Sequence, residues 1–399
     1  MDCATFGRFA LGWATLVLLL LGGCTPPEDK PFPDHTIGFS EPKPDRGYAL
    51  YVEAAKAAEQ DIQKQITRTI WTPGQKDYAL QHGQRALEIL RSAQSGPVTY
   101  SFAPSVPGAV REPVRGWRFL GRVLCWRIEE AETAESLAKA TNDFMIAARM
   151  GADLAGGDAQ SAGLGFEIAL EAAKPFWKRF SDMPNSELNR VYTGLSAALQ
   201  TLPAAGVTLR NERETMLRAV QWVQSLYLTG DFDQIRKALG DYVEPTIKFM
   251  KEMKDEPRAK QVSFFEGLAQ EAEQTVRNHV ALAAAGANRW EEPEELTGER
   301  PWKRLASSLF QGGQAFLEQR AIFETEMRLL ALDAALLATA RQEGKAPADL
   351  LKFPKWLRTD PYSGRDFVYV PQGGTYKLYG VGPDGKEDGG DSSDITLGR

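Results

Sequence analysis

Two places in the chain carry residue types that could do chemistry, and one of them is an acidic, glycine-rich stretch near the C-terminus. It runs from Gly380 to Ile395 and contains five carboxylates and five glycines. Ca²⁺ takes about six to eight oxygen ligands, which short acidic side chains and exposed loop carbonyls supply. The composition therefore predicts a calcium-binding loop, although the residue order of an EF-hand is missing. The alternative is a solvated acidic tail.

The other place is Cys24, which follows a short apolar run near the N-terminus. Arg8 supplies a positive charge, and the run from Phe9 to Leu21 has the length of a secretory signal. It is shorter than the roughly 20 residues that a membrane-spanning helix needs. We therefore expect residues 1–23 to be a removed signal peptide.

The residues around the predicted cleavage point are Leu21-Gly22-Gly23-Cys24. This motif resembles the lipobox of bacterial lipoproteins, which implies cleavage before Cys24 and attachment of lipid to its thiol. Two or three acyl chains would hold the protein on a membrane, because each buried CH₂ contributes about 0.8 kcal/mol. Thr25 stands where lipoproteins of the inner membrane usually carry aspartate, so the resemblance implies a cell-envelope location, more specifically the outer membrane. The alternative is ordinary secretion with a free cysteine at the new terminus.

The rest of the chain divides into three parts by its pattern. Residues 24–46 are rich in proline and charge, which is typical of an extended tether. Residues 47–343 show apolar residues at helical spacing, such as Leu137, Ala140 and Phe144, and almost no alternation of period two. We predict a mainly α fold of stacked antiparallel helix pairs, either helical-repeat-like or a bundle. After a first helix from Tyr48, the helices are expected at about 77–92, from 117, and at 132–155, 159–180, 185–201, 210–228, 232–254, 263–285 and 302–343.

Residues 344–399 change to β character. Asp360-Pro361 predicts a turn, and the β-rich segments 367–370 and 375–379 are joined by Pro371-Gln372-Gly373-Gly374. These features predict a small β-hairpin that carries the acidic loop at its end.

The segment from Arg328 to Ile395 resembles the C-terminal part of the major pseudopilins of type II secretion systems. The matching pieces are a leucine-rich helix, Gly344-Lys345-Ala346-Pro347, Asp360-Pro361, the hairpin, and Gly382-Pro383-Asp384-Gly385 followed by Asp394-Ile395. The resemblance implies a structural calcium ion, with Asp384 and Asp394 as side-chain ligands and Val381 as a carbonyl donor. Asp388, Asp391 and Ser392 are further candidate donors.

The resemblance to pseudopilins covers only about a sixth of the chain. Pseudopilins begin with a prepilin-peptidase site and a long apolar helix, which this chain lacks, so the resemblance implies a site and not a role. The helical body with its terminal hairpin is also similar to large bacterial lipoprotein and membrane families for which no activity is established.

Composition and residue types argue against several functions. The formal net charge of -6 gives no basic field for nucleic acid. The three histidines, His35, His82 and His279, form no zinc motif, and no nucleophile elbow is present. Cys125 lies in an apolar context typical of a buried, inert thiol. The tryptophans could line a groove for peptide or glycan, although core packing is the favoured interpretation.

The interpretation that these patterns favour is a membrane-anchored envelope lipoprotein that binds or organises other envelope proteins. The alternative is an envelope hydrolase acting on glycan or peptide through carboxylates of the helical domain. Candidate pairs for that chemistry are Glu129-Glu130, Glu167 with Glu171, and Glu291-Glu292. Convergent carboxylates with raised pKa values in a pocket would favour the hydrolase.

Overall fold

The computed structural model describes residues 31–36, 45–62, 72–100, 106–107, 112–286, 301–391 and 393–397. Within these residues the protein has fourteen α-helices, followed by a three-stranded antiparallel sheet near the C-terminus. The predicted mainly α fold with a small C-terminal β element is therefore confirmed.

The helices follow one another with short connections between most neighbours. They are α1 Arg46–Ile62, α2 Pro73–His82, α3 Gln84–Ala93, α4 Glu112–Glu129, α5 Ala134–Leu154, α6 Ala159–Trp177, α7 Asn185–Thr201, α8 Ala205–Thr229, α9 Phe232–Leu239, α10 Glu244–Met253, α11 Arg258–Ala284, α12 Pro301–Leu309, α13 Gln311–Glu343 and α14 Lys355–Arg358. The strands are β1 Val368–Gln372, β2 Thr375–Gly380 and β3 Ile395–Thr396.

The centre of the body is the pair of helices α5 and α6, which make the most extensive contact of any two elements described. The Phe144 and Phe176 rings stack between them at 4.2 Å, and Phe166 stacks on Phe323 of α13 at 4.7 Å. Helices α1, α3 and α4 pack on one side of this pair, and α7 and α13 on another. Helix α8 joins α11 and α12 to the body through α6 and α13. The core is thus continuous from one helix group to the next.

Helix α4 approaches α1 closely because Gly116 stands at their crossing. A Cβ atom at this position would lie 2.2 Å from the carbonyl oxygen of Ala55, so no larger residue fits without moving the helix. The same part of the fold contains a buried carboxylate. Asp143 of α5 accepts hydrogen bonds from Arg91 at 2.9 Å and Arg127 at 2.6 Å, which ties α3 and α4 to α5.

Three predicted helices are each divided in the structure, and each division has a local cause. The helix expected at 77–92 bends at Gly83, where a Cβ would lie 2.8 Å from the Ala79 carbonyl oxygen. The helix expected at 232–254 ends at Gly240, which has a φ of 88°. The helix expected at 302–343 is interrupted at Phe310, whose ring occupies the space over Gly313.

The C-terminal sheet has the strand order β1-β2-β3, with Gln372 paired to Thr375. Gly373 and Gly374 alone form the turn between β1 and β2, and Gly373 has a φ of 65°. The expected two-stranded hairpin is therefore extended by β3, which pairs with β2 through Ile395 and Gly380. A strand of two residues has too few positions to show alternation, so the sequence pattern did not reveal it.

Candidate functional sites

Asp394 lies at the centre of the C-terminal acidic loop. Its Oδ2 accepts hydrogen bonds from the backbone N–H groups of Gly390 at 2.7 Å and Asp388 at 3.1 Å. The residue is only 7% exposed, and its Oδ1 has no hydrogen-bond partner. A buried carboxylate oxygen without a partner is costly unless a donor or a cation satisfies it.

The other predicted calcium donors lie around the loop without converging on Asp394. Asp384, Asp388 and Asp391 are exposed, and two of them are engaged locally: Asp384 accepts from the Lys386 N–H at 3.1 Å, and Asp388 accepts from the Ser393 hydroxyl at 2.7 Å. Ser392 falls outside the described residues. Among the residues described, no group of three or more acidic, histidine or cysteine side chains is arranged around a common metal position.

The base of the acidic loop is fixed by Asp360 of the predicted turn. Its Oδ2 accepts from the Val381 N–H and from the Ser363 hydroxyl, both at 3.0 Å, and its Oδ1 accepts from the Tyr362 N–H at 2.9 Å. Val381, predicted as a carbonyl donor, is thus held at the start of the loop. Gly382 follows it, where a Cβ would lie 1.7 Å from the Ser393 carbonyl oxygen.

Asp333 of α13 connects the sheet to the helical body. It is 2% exposed, its Oδ1 accepts from the Tyr376 hydroxyl of β2 at 2.6 Å, and its Oδ2 accepts from the Trp177 Nε1–H of α6 at 2.9 Å. The sheet and its acidic loop therefore sit on the long helix through a buried carboxylate that the sequence analysis did not single out.

A cavity of about 380 Å³ opens beside the C-terminal end of α5. Its polar lining includes Asp153, Glu214, Asn211 and Tyr100. Burial raises the pKa of Asp153, while its Oδ2 accepts from Tyr51 at 2.7 Å and lies 3.4 Å from Arg149 Nε. The cavity is therefore lined by two carboxyl groups from different helices, Asp153 and Glu214, and the pKa of Asp153 is raised.

Residues 31–36, which belong to the predicted tether, lie against α8 and α11. The Phe32 ring makes edge contacts with Tyr227 at 6.2 Å and Phe265 at 5.7 Å, and the Arg258 guanidinium stacks over it at 3.7 Å. We call this set, together with Gln221 and Gln224, the tether groove. The predicted tether is thus in contact with the body at residues 31–36.

Polar contacts also hold the segment in the tether groove. Gln224 of α8 donates to the Pro33 carbonyl oxygen at 2.9 Å, and the His35 N–H donates to Gln221 Oε1 at 3.0 Å. Burial lowers the pKa of His35 below its ordinary value. The Gln224 side chain and, more weakly, the carboxylates of Asp34, Glu266 and Glu273 oppose this lowering of the pKa only in part.

The carboxylate pairs singled out for a hydrolase do not form a site where they are described. Glu129 and Glu130 are half exposed and share the ammonium group of Lys76, with distances of 3.8 and 3.1 Å. Glu171 lies 4.0 Å from Arg122. Glu167 lies one helical turn before Glu171 on α6. Glu291 and Glu292 lie outside the described residues.

The histidines and Cys125 of the helical body have packing roles. His82 lies beside the Tyr78 ring at 4.1 Å, and the buried His279 shares a hydrogen bond of 2.8 Å between Nδ1 and the Thr275 carbonyl oxygen. Cys125 is buried, and burial raises the pKa of its thiol to about 12. The predicted burial of this thiol is confirmed.

The predicted lipid-attachment residue, Cys24, lies outside the described residues, as does the whole signal segment 1–23. Across the described part of the chain, no helix combines the length and the apolar character needed to cross a membrane. No protein-family model matches the chain, and neither the curated proteins nor the solved structures contain a match to it.

Sequence reasoning missed the tether groove and the Asp153 cavity. A weak signal existed for the groove, because Phe32 is a large apolar residue between two prolines in an otherwise polar segment. The cavity had no comparable signal, since Asp153 and Glu214 are far apart in sequence on separate helices.

Proposed function

We propose that this protein is a membrane-anchored lipoprotein of the cell envelope, acylated on Cys24, whose helical body acts as a protein-binding or assembly scaffold. The observation that carries the proposal is the attachment of residues 31–36 to α8 and α11, a few residues after Cys24. In a secreted protein without a lipid anchor, the segment that follows the signal peptide would not need a specific binding groove on the body.

Replacement of Cys24 tests the anchor. A hydroxyl cannot form the thioether, so Cys24→Ser is expected to remain an uncleaved precursor without lipid. The measurement is the mass of the N-terminal peptide, together with partition of the protein between membrane and salt wash. Acylated Cys24→Ser protein would refute the anchor, and Cys125→Ser is the control that leaves it intact.

The scaffold role is tested on the acylated protein purified from solubilised envelope. We expect defined complexes of constant stoichiometry by light scattering and mass spectrometry, in which the same partners recur between preparations. A protein that stays monomeric at envelope concentrations, with no recurring partner, would contradict the scaffold role.

We further propose that the C-terminal loop takes up Ca²⁺, with Asp394 as its central ligand. The support is the buried, unpartnered Oδ1 of Asp394 in a loop that carries further carboxylates. Asp384, Asp388 and Asp391 would reach the ion only if their exposed side chains turned toward Asp394. Bound there, the ion would supply positive charge that offsets repulsion between the carboxylates.

A second candidate function is supported by the Asp153 cavity: hydrolysis of glycan or peptide. The cavity joins a carboxyl group of raised pKa to a second carboxylate, which is the pairing that acid-base cleavage requires. On this hypothesis Asp153→Asn and Glu214→Gln each lose at least tenfold activity on peptidoglycan or peptide substrates. Glu135→Gln, at an exposed carboxylate of α5, is the control, and an unmodified protein that cleaves neither substrate rules the hydrolase out.

A further inference from the structure

The tether groove holds the N-terminal segment through the Phe32 side chain and through backbone atoms of the neighbouring residues. The Phe32 ring makes edge contacts with Tyr227 and Phe265, and the Arg258 guanidinium lies over it. Beside the ring, the side chains of Gln224 and Gln221, one turn apart on α8, bind the backbone at Pro33 and His35. Five side chains of α8 and α11 thus hold a segment of six described residues, so the segment has a specific binding site on the body.

The position of this seat along the chain limits how far the body can move from Cys24. Phe32 lies eight positions after Cys24, and a fully extended chain spans at most about 3.6 Å per residue, so the reach is at most about 29 Å. Without the seat, the free chain would continue to α1 at Arg46, with a reach of up to about 79 Å.

The shorter reach also restricts orientation. A globular body of this length has a radius of gyration of about 20 Å, so its diameter exceeds the anchored reach. Acyl chains on Cys24 can enter a bilayer only if the face that carries Phe32 lies toward the membrane. An unseated tether would let the body turn freely.

We propose that the tether groove is an orientation latch: it holds the face formed by α8 and the start of α11 against the lipid surface. It thereby directs α2 and α3, which pack on α1 and α4, into the surrounding compartment. This inference rests on the proposed acylation of Cys24. The partner of the α8–α11 face is therefore the bilayer, and the distant helices are the part left accessible to other proteins.

Two insertions of equal length separate a seated tether from a free one. About 20 Gly and Ser residues placed between Lys30 and Pro31 lengthen the chain between lipid and seat. The same insertion between Gly38 and Phe39 lengthens only the chain after the seat. A free tether would respond equally to both, because each adds the same length between Cys24 and α1.

The experiment uses the acylated full-length protein in liposomes whose lipids carry a nitroxide on the headgroup. Fluorophores are attached in separate variants at Asp255→Cys, three residues before Arg258, and at Arg85→Cys on α3, since both positions are exposed and Cys125 is buried. We expect several-fold stronger quenching at position 255 than at 85, in the unmodified protein and with the insertion after Gly38. The insertion after Lys30 should abolish this difference.

Equal quenching at both positions in the unmodified protein, or equal effects of both insertions, would overturn the latch. The mass of the N-terminal lipopeptide is measured in every sample. If Cys24 carries lipid and the quenching pattern fails, the latch is wrong and the anchor stands. If Cys24 carries no lipid, the anchor is wrong and the latch falls with it.

Discussion

The phenol of Tyr376 on β2 donates a hydrogen bond of 2.6 Å to the buried carboxylate of Asp333 on α13. The same carboxylate accepts from Trp177 on α6, so one side chain joins the sheet, the long helix and the central pair of the body. Because the acidic loop is carried by β2 and β3, its position relative to the body depends on this contact.

Replacement of Asp333 by alanine is expected to lower the free energy of unfolding by about 3 kcal/mol, because the Tyr376 hydroxyl and the Trp177 N–H lose a charged acceptor. Tyr376→Phe removes one of these bonds and should cost about 1.5 kcal/mol. Denaturant unfolding measures both. Asp349→Ala, an exposed carboxylate of the same C-terminal region, is the control and should change stability by less than about 0.5 kcal/mol. Equal effects of Asp333→Ala and Asp349→Ala would contradict the argument.

The sequence predicted elements best where local signals marked both ends. Helix α7 has the bounds expected from its pattern, because Pro184 precedes it and Pro203 follows shortly after its end. The breaks at Gly83 and Phe310 were missed because each depends on a tertiary or side-chain contact. Helical spacing continues across both positions, so no local pattern distinguishes a bend from a straight helix.

The candidate sites were predictable only in part. Composition indicated the acidic loop but could not distinguish Asp394 from Asp384 or Asp391. In the structure Asp394 is buried, whereas the other two are exposed. The tether groove around Phe32 is formed by residues of α8 and α11, about 200 positions further along the chain. Contacts of this kind follow from the packing of the helices and not from any local pattern.

Cys125 should react very slowly with thiol reagents in the folded protein. Only the thiolate reacts, and a pKa of about 12 leaves roughly one thiolate in ten thousand at pH 8. We expect labelling at least 100-fold slower in the folded than in the denatured state. The rate of reagent release measures it in Cys3→Ser, Cys24→Ser protein, so that Cys125 is the thiol observed. Similar rates in both states would show that the thiol is accessible.

Millimolar Ca²⁺ should protect the C-terminal loop against a lysine-specific protease. Lys386 is exposed in the loop, and cleavage there releases the peptide that contains Asp394. Bound calcium stabilises the closed loop by mass action, so we expect several-fold slower release. Asp394→Ala should lose this protection, and so should the double variant Asp384→Ala, Asp394→Ala.

Asp366→Ala is the matched control, because Asp366 lies in the same C-terminal region and pairs with Arg358 at 3.3 Å instead of lying in the loop. This variant should keep the protection by calcium. If calcium leaves the release rate of the unmodified protein unchanged, the loop is an acidic tail. The same conclusion follows if calcium protects Asp394→Ala as well as it protects the unmodified protein.

The latch should weaken in acid because of His35. Its pKa in the groove is lowered from the ordinary value of 6.5 by burial, so the seated segment disfavours the protonated ring. The released segment binds a proton more readily, and seating is therefore fully favourable above pH 6.5 and is lost progressively as the pH falls below that value. The charges that face the ring are Asp34 beside it and Glu266 and Glu273 of α11, and these carboxylates limit the shift without reversing it.

A nitroxide at the exposed position Pro31→Cys, in the Cys3→Ser, Cys24→Ser background, reports binding of the segment in the tether groove through its mobility. We expect this mobility to rise as the pH falls from 7 to 5. His35→Gln keeps a polar side chain that does not titrate, so its mobility should not change over this range. Added salt at constant pH is a control. It tests whether the ion pair between Arg213 and Glu273, in the same region, contributes to the change in mobility. A mobility that is independent of pH in the unmodified protein would mean that His35 does not govern seating. An equal rise as the pH falls in His35→Gln would show that His35 is not the group responsible.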